Sequence, residues 1–287
     1  MNRENIKLIE CPRDAMQGIH EFISSENKVR YINQLLKVGF DTIDFGSFVS
    51  QKAIPQLKDT AKVLEQLNLS ETNSNLLAII ANLRGANDAL EHEVIDYVGF
   101  PFSISETFQQ RNTNSSIEES LKRVEEIQNL VQKKAKKLVI YISMGFGNPY
   151  GDPYHEDIVA KWIEKLSQLD VSIFALSDTI GVSEPGIINR LYTNIIPEFP
   201  KLEIGAHLHT APHNWKEKVE AAYKSGCRRF DGAVSGFGGC PMATDELTGN
   251  MATENLISYF EEQQIDLELD LDAFEEAKKM AVEIFPI

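Results

Sequence analysis

Short β-rich runs alternate with amphipathic helical stretches eight times along the chain, and no other feature restricts the fold as strongly. The runs fall at Ile6 to Cys11, Asp41 to Phe45, Asn75 to Ile80, Val94 to Gly99, Leu138 to Ser143, Ser172 to Leu176, Leu202 to His207 and Arg228 to Asp231. Helical periodicity follows them, for example over Glu26 to Val38, Ser116 to Lys134, Asp157 to Leu169, Glu184 to Ile196 and Trp215 to Lys224. Ser116, three residues ahead of Glu119, makes a capping box, and Gly39 and Gly226 stand where helices should end. Eight strand–helix units in 287 residues is the arithmetic of a TIM (β/α)8 barrel, whereas a doubly wound sheet would use fewer strands. The expectation is an α/β chain forming a single TIM-barrel domain over 1–287, with 257–287 as a helical C-terminal extension.

Charge narrows the partners. With 28 Lys+Arg against 43 Asp+Glu the chain carries a formal −15, a poor match for nucleic acid or an anionic membrane, both of which need a cationic face. The one dense basic run, Lys133, Lys134, Lys136 and Lys137, reads as charge complementing the end of a helix dipole. No stretch approaches the ~20 apolar residues of a membrane span. The first strand begins near Ile6, which leaves no room for a leader. Three widely spaced cysteines, Cys11, Cys227 and Cys240, form no disulfide framework or metal knuckle, so a cytoplasmic, reducing location is expected.

In a TIM barrel the chemistry sits at the C-terminal ends of the strands, and polar residues cluster there in this sequence. Arg13 and Asp14 follow strand 1, Asp44 ends strand 2, and Ser105 and Glu106 follow strand 4. Asp178 follows strand 6, His207 and His209 end strand 7, and Cys240 and Asn250 lie after strand 8. The two histidines, one residue apart on a strand, point to the same face while Leu208 points outward, so they can chelate a divalent ion or be two satisfied buried rings. Asp14 reaches them only if the barrel closes. Asp14, His207, His209 and the amide of Asn250 are mixed oxygen and nitrogen donors without a thiolate, which suits Mg²⁺ or Mn²⁺. Arg13 places a permanent cation beside that set, as an enolate stabiliser or a strand-end tie. Cys240 follows Ser235-Gly-Phe-Gly-Gly and can be a reactive thiol or an inert turn residue. Asp178 can act as a base or form an Asx turn.

Taken together, Pro12-Arg13-Asp14-Ala-Met-Gln17, Gly46-Ser47-Phe48-Val49-Ser50 with Pro55-Gln56, Ser177-Asp178-Thr179-Ile180-Gly181-Val182, His207-x-His209, Gly238-Gly239-Cys240-Pro241 and Gly249-Asn250-x-Ala252-Thr253-Glu254 form an ordered set. This set resembles the 3-hydroxy-3-methylglutaryl-CoA lyases from about Ile6 to Phe260. The resemblance implies metal ligands at Asp14, His207, His209 and Asn250, an enolate-stabilising Arg13 and a catalytic Cys240 on a loop that closes over the site. It also implies supporting roles for Asp44, where the family has a glutamate, and for Asp178. The implied reaction is retro-Claisen cleavage of a CoA thioester to acetyl-CoA and acetoacetate, carried out by a homodimer.

The chain also departs from the pattern. Thr210 stands where the family has an Asp after the second histidine, Gly-Ile-His follows Gln17 in place of Asn-Glu-Lys, and Glu10 is one position away from the family's glutamate. Asn148-Pro149-Tyr150 replaces Cys-Pro-Tyr. Two other readings stay open: a related metal-dependent aldolase or lyase acting on another 3-hydroxyacyl-CoA or a 2-oxo acid, and a non-catalytic CoA- or metal-binding barrel. Lys28, Lys52 and Arg111, near strand ends, are CoA-contact candidates against a plain surface role.

Overall fold

The structure is a computed structural model and describes residues 5–239 and 249–285. Its strands are β1 (Lys7–Glu10), β2 (Thr42–Ser47), β3 (Asn75–Ile79), β4 (Tyr97–Ser103), β5 (Lys137–Ser143), β6 (Ile173–Ser177), β7 (Glu203–His207) and β8 (Arg229–Gly232). All are parallel and close in sequence order, β8 pairing with β1 from Lys7–Arg229 to Glu10–Gly232. This is the expected TIM barrel. Its helices are α1 (Pro12–Gln17), α2 (Ser25–Val38), α3 (Thr60–Leu64), α4 (Leu83–Leu90), α5 (Glu106–Thr113), α6 (Ile117–Lys133), α7 (Glu156–Ser167), α8 (Pro185–Glu198), α9 (Trp215–Lys224), α10 (Thr253–Glu262) and α11 (Leu271–Ile284).

Local signals placed most boundaries well. The capping box on α6 is complete, Ser116 Oγ accepting from the Glu119 N–H at 3.1 Å and the Glu119 carboxylate from the Ser116 N–H at 2.8 Å. Gly39 and Gly226 leave their helices in left-handed backbone, at φ 92° and 100°. The fourth strand differs from expectation. Val94 lies in a turn, 46% exposed, and the strand runs instead through Pro101, held in register with Tyr141 of β5. The C-terminal boundary differs too. α10 begins at Thr253 and serves as the helix of the eighth unit, Phe260 packing on Phe230 of β8 with ring centroids 5.3 Å apart. Among the described residues after β8, α11 is the helix beyond the eight units; it lies along α2, with Phe285 edge-on to Tyr31 at 5.2 Å.

Strand register divides the barrel interior into two halves. Leu77, Ile79, Tyr97, Val139, Tyr141, Ile173 and Ala175 form a small apolar cluster separate from the large one shared with the helices. Side chains alternate along a strand, so this cluster is the inward face of β3 to β6. Paired residues of parallel strands face the same way. Following the pairs Ala175–Gly205, Ser177–His207, His207–Asp231, Ile9–Asp231, Ile9–Thr42 and Asp44–Leu77 round the barrel puts His207, Asp231 and Asp44 on the inward face. The β7–β8–β1–β2 half is therefore polar. At its base Lys7 pairs with Glu203 at 2.6 Å, and Arg229 passes over Gly205, where a Cβ would lie 2.8 Å from Arg229 Cδ.

Glu10 turns the other way, into the helical layer, where it accepts from the Val234 N–H at 3.0 Å and from Thr253 Oγ1 at 2.5 Å. Burial drives its carboxyl up to about 8, against the pull of these two donors. From its ordinary value of 4.5 up to about 8 the folded chain holds a proton that the unfolded chain releases, so stability falls as pH rises across that window. Glu10→Gln keeps the acceptor for the Val234 N–H, reverses the bond with Thr253 so that the amide donates to Oγ1, and removes this dependence. Its melting temperature relative to wild type is expected to rise by a few degrees between pH 5 and pH 8; an offset constant with pH would contradict the assignment.

Candidate active site

The site begins where β1 ends. Pro12, which has no N–H to leave unsatisfied, opens the six-residue α1 directly after the strand and carries Arg13 and Asp14 over the barrel mouth, both buried. Across the mouth, His207 ends β7. His209 lies just beyond it, in a bridge to Asn250 that is extended by the Met251 N–H donating to the Leu208 carbonyl at 3.0 Å. Leu208 points into the outer core, so both rings face inward, with centroids 5.5 Å apart. Ligand atoms of Asp14, His207 and His209 all lie within 4.8 Å of one another.

The electrostatics make this trio a donor set. Burial raises the Asp14 carboxyl, but Arg13, His207 and His209 outweigh it and hold the group at about 2. Burial and the neighbouring His207 push His209 down to about 4, leaving its ring neutral near pH 7 with a lone pair to offer. His207 Nδ1 meets Asp231 Oδ2 at 3.1 Å, while Nε2 faces Asp14 Oδ2 at 3.9 Å. A carboxylate on the far nitrogen fixes the tautomer and directs the other lone pair into the site. A divalent ion with oxygen and nitrogen ligands fits these residues.

Asn250 joins the cluster by its amide nitrogen, which donates to Asp14 Oδ2 at 2.8 Å and to the Phe237 carbonyl at 2.9 Å. Gly238 packs so closely here that a Cβ would lie 2.6 Å from the Asp14 carbonyl oxygen and 2.8 Å from Asn250 Nδ2. Its φ of 93° is equally unsuited to a side chain, which accounts for glycine at this point of the loop. Cys240 lies outside the described residues. Gly238 before it and Gly249 after it, whose carbonyl accepts from the Thr210 N–H at 3.0 Å, both sit beside the cluster.

Arg13 bridges two carboxylates. It donates to Asp14 Oδ1 at 2.7 Å and grips Asp44 through Nε, at 3.2 and 3.0 Å, and through Nη2 at 2.5 Å. Burial raises the Asp44 carboxyl to about 6 even against this pairing. Asp44 lies within β2 rather than at its end, because the strand continues past a register shift to Ser47. Gln17 completes the arrangement, accepting from Arg13 at 3.0 Å and donating to Asp14 Oδ1 at 2.5 Å.

Asp178 is buried just past the end of β6, and its carboxylate is engaged by Ser183 and Lys218 rather than by the side chains of that cluster. Its Oδ1 accepts from the Ser183 N–H at 3.0 Å, and Oδ2 accepts from Ser183 Oγ at 2.5 Å and Lys218 Nζ at 2.9 Å. Glu10, as described above, does not face the mouth. Lys28 is buried, paired with Asp59 at 2.6 Å and with the Gln56 carbonyl. Arg111 lies over the Tyr150 ring, and Lys52 is exposed. Asn148 shapes its own loop, accepting from the Tyr150 and Asp152 N–H groups at 3.1 Å each. Cys11, under the cluster near His207 and Asp231, is a buried thiol whose pKa burial pushes well up.

Two residues in contact with the histidines, Asp231 at the His207 ring and Lys218 at the His209 carbonyl, escape the sequence reading. Asp231 was visible only as the end of the eighth strand, although the rule that strand ends carry chemistry could have marked it. Lys218 lies inside an ordinary amphipathic helix and gave no signal.

The model of the HMGL-like family matches residues 5–281. The hydroxymethylglutaryl-CoA lyase YngG of Bacillus subtilis is 32% identical over 268 residues, covering 93% of this chain and 89% of that one. The 3-hydroxy-3-isohexenylglutaryl-CoA/hydroxy-methylglutaryl-CoA lyase of Pseudomonas aeruginosa is 32% identical over 278 residues, 96% and 91% of the two chains. Among solved structures, the hydroxymethylglutaryl-CoA lyase from Pseudomonas aeruginosa superposes with a TM-score of 0.92 at 30% identity, covering 99% of this chain and 94% of the other. An HMG-CoA lyase from A. baumannii, in complex with coenzyme A and 3-methylmalate, gives 0.90 at 30% identity, covering 98% and 91%. With its barrel, its ordered motifs and its buried Asp-His-His cluster, the chain belongs to the HMGL-like family.

Proposed function

We propose that this protein cleaves 3-hydroxy-3-methylglutaryl-CoA to acetyl-CoA and acetoacetate with Mg²⁺ or Mn²⁺ at the mouth of the barrel. The observation that carries this reading is the buried Asp14–His207–His209 cluster with Arg13 beside it. Asn250 is the fourth member of the set; turning its amide about the last side-chain bond brings the oxygen where the nitrogen now sits. When bound, the ion would acidify the substrate's tertiary alcohol and orient its carboxylate.

The chain's own residues account for the remaining steps. Asp44, held at about 6, is a proton acceptor suited to neutral pH and shares Arg13 with the cluster. As the hydroxyl proton leaves, C3 becomes a ketone, the C2–C3 bond breaks and its electron pair passes into the thioester enolate. Arg13 meets that charge. It stays cationic in its buried position because Asp44 and Asp14 more than offset the effect of burial, and its contacts fix it before the charge develops. Cys240, proposed from the family resemblance, returns a proton to C2.

The open surface beside the ends of β2 and β3 carries Arg84 and Arg123, together with Asn82 and Glu126, and these two guanidiniums are the cations nearest to hand for the CoA phosphates. A longer substituent at C3 is a second reading, favoured by the Pseudomonas relative that is named for both substrates. Among the described residues no helix is long and apolar enough to cross a membrane, and the two free cysteines there are buried, in keeping with a reducing, cytoplasmic setting.

Three outcomes test this reading. Metal-stripped protein titrated with Mn²⁺ by calorimetry should bind one ion; His209→Ala should abolish binding, and Asp231→Asn should weaken it by about 10- to 100-fold. Acetoacetate release should require the ion and fall by at least about 100-fold in a folded Arg13→Gln variant. Because Asp44 must be ionised to accept a proton, kcat should fall as pH drops through about 6. This acidic limb should be lost in Asp44→Asn, and a profile unchanged by that substitution would assign the proton transfer elsewhere.

A further inference from the structure

Lys218 is a buried ammonium outside the candidate ligand set, its side chain 2% exposed on the first turns of α9. Lysine has three N–H donors, and here three acceptors meet them: Asp178 Oδ2 at 2.9 Å, the Gly181 carbonyl at 3.2 Å and the His209 carbonyl at 2.9 Å. These acceptors belong to the loop after β6 and to the residue that carries the second imidazole. One buried side chain thus ties α9 to two loops of the mouth.

The two histidines are held differently. His207 is oriented through its ring, by Asp231. Among the described residues no side chain bonds the His209 ring, so its direction depends on how its backbone is fixed. That backbone is fixed by the bridge to Asn250, by the neighbouring Thr210 N–H on Gly249, and by Lys218 at the His209 carbonyl. Asp178, for its part, accepts from the Ser183 N–H, Ser183 Oγ and Lys218 together, and none of these donors belongs to the ligand set.

We propose that Lys218 is a positioning residue, which sets the His209 imidazole by holding its carbonyl, and that Asp178 is the counter-ion of Lys218 rather than the proton acceptor of the reaction. This assignment rests on the metal reading of the site given above. It explains why a carboxylate at a strand end, well placed in sequence for acid–base work, has both oxygens taken up by Ser183 and Lys218. It also supplies a function for a buried charge that would otherwise be a net cost.

The test uses the full-length protein stripped of metal, with Mn²⁺ affinity by calorimetry, kcat for 3-hydroxy-3-methylglutaryl-CoA, and melting temperature. Asp178→Asn leaves Lys218 without its counter-ion and should lower the melting temperature, but Lys218 keeps its bonds to the Gly181 and His209 carbonyls, so in the folded variant Mn²⁺ affinity should stay within about threefold and kcat within about tenfold of wild type, against the loss of 10²–10⁴ expected for removal of a general base. Lys218→Met should weaken Mn²⁺ binding by at least about tenfold, in the range seen when a ligand loses its outer support. That variant leaves Asp178 buried and unpaired, so the double variant Lys218→Met with Asp178→Asn, which leaves no lone charge, is the decisive one. It should melt near the wild-type temperature and still bind Mn²⁺ weakly, since the tether is absent. Wild-type affinity in the double variant would overturn the positioning role. A kcat loss of about a thousandfold in Asp178→Asn at unchanged Mn²⁺ affinity would restore Asp178 as the acceptor. Failure of the wild-type apoprotein to bind Mn²⁺ at all would overturn the metal reading itself, a result distinct from both.

Discussion

Closure of the sheet between β8 and β1 is the constraint on which the rest of this structure depends. Arg13 and Asp14 come at the start of the chain and His207, Asp231 and Asn250 near its end, and only the pairing of Lys7 to Glu10 with Arg229 to Gly232 brings them to one mouth. The cost of closing so long a loop is met by the whole barrel, through eight ladders and a continuous outer core. The site takes its geometry from that closure, so its precision derives from packing remote from the chemistry.

The same closure divides the interior by chemistry. The β3 to β6 half is filled with leucine, isoleucine, valine and tyrosine and behaves as core. The other half buries Asp44, Asp231 and Arg229, with Arg13 above them and His207 partly exposed at the mouth. Such charges survive burial only in mutual company: Arg13 serves Asp14 and Asp44, and Lys218 serves Asp178. Each would be replaceable by well-packed apolar residues as far as stability is concerned. Their retention on one side of the barrel follows the site, where fixed dipoles and charges act in a medium that does not screen them.

The elements beneath the site illustrate two ways of aiming a ligand. His207 ends a strand, so its backbone is set by a ladder and its ring by Asp231. His209 stands past the strand, where the ladder has ended, and takes its support from the returning segment at Asn250 and from the helix behind it. Thr210, which replaces the family's aspartate, sits in this second arrangement, contributing its N–H to Gly249.

What could be read from the sequence was whatever local periodicity and short motifs encode. Period-two runs, amphipathic helices, the Ser116–Glu119 box and Gly39 and Gly226 placed the units, and eight units determined a barrel. The HxH pair and the residues after strands 1 and 7 marked the mouth, because strand alternation alone sends His207 and His209 to one face. Local pattern misplaced the fourth strand, since the apolar Val94 carries no sign that a turn exposes it. It likewise treated α10 as an appendage, when packing of Phe260 on Phe230 makes it the eighth helix. Tertiary structure alone decided which carboxylates face the cluster. Asp44, Asp178, Asp231 and Glu10 are equivalent as letters near strand ends, yet Arg13 pairs with one, Lys218 with another, His207 engages the third, and the fourth faces the helices. Their roles depend on which charge each meets across the barrel, and contacts between residues so far apart in the chain exist only once the sheet has closed.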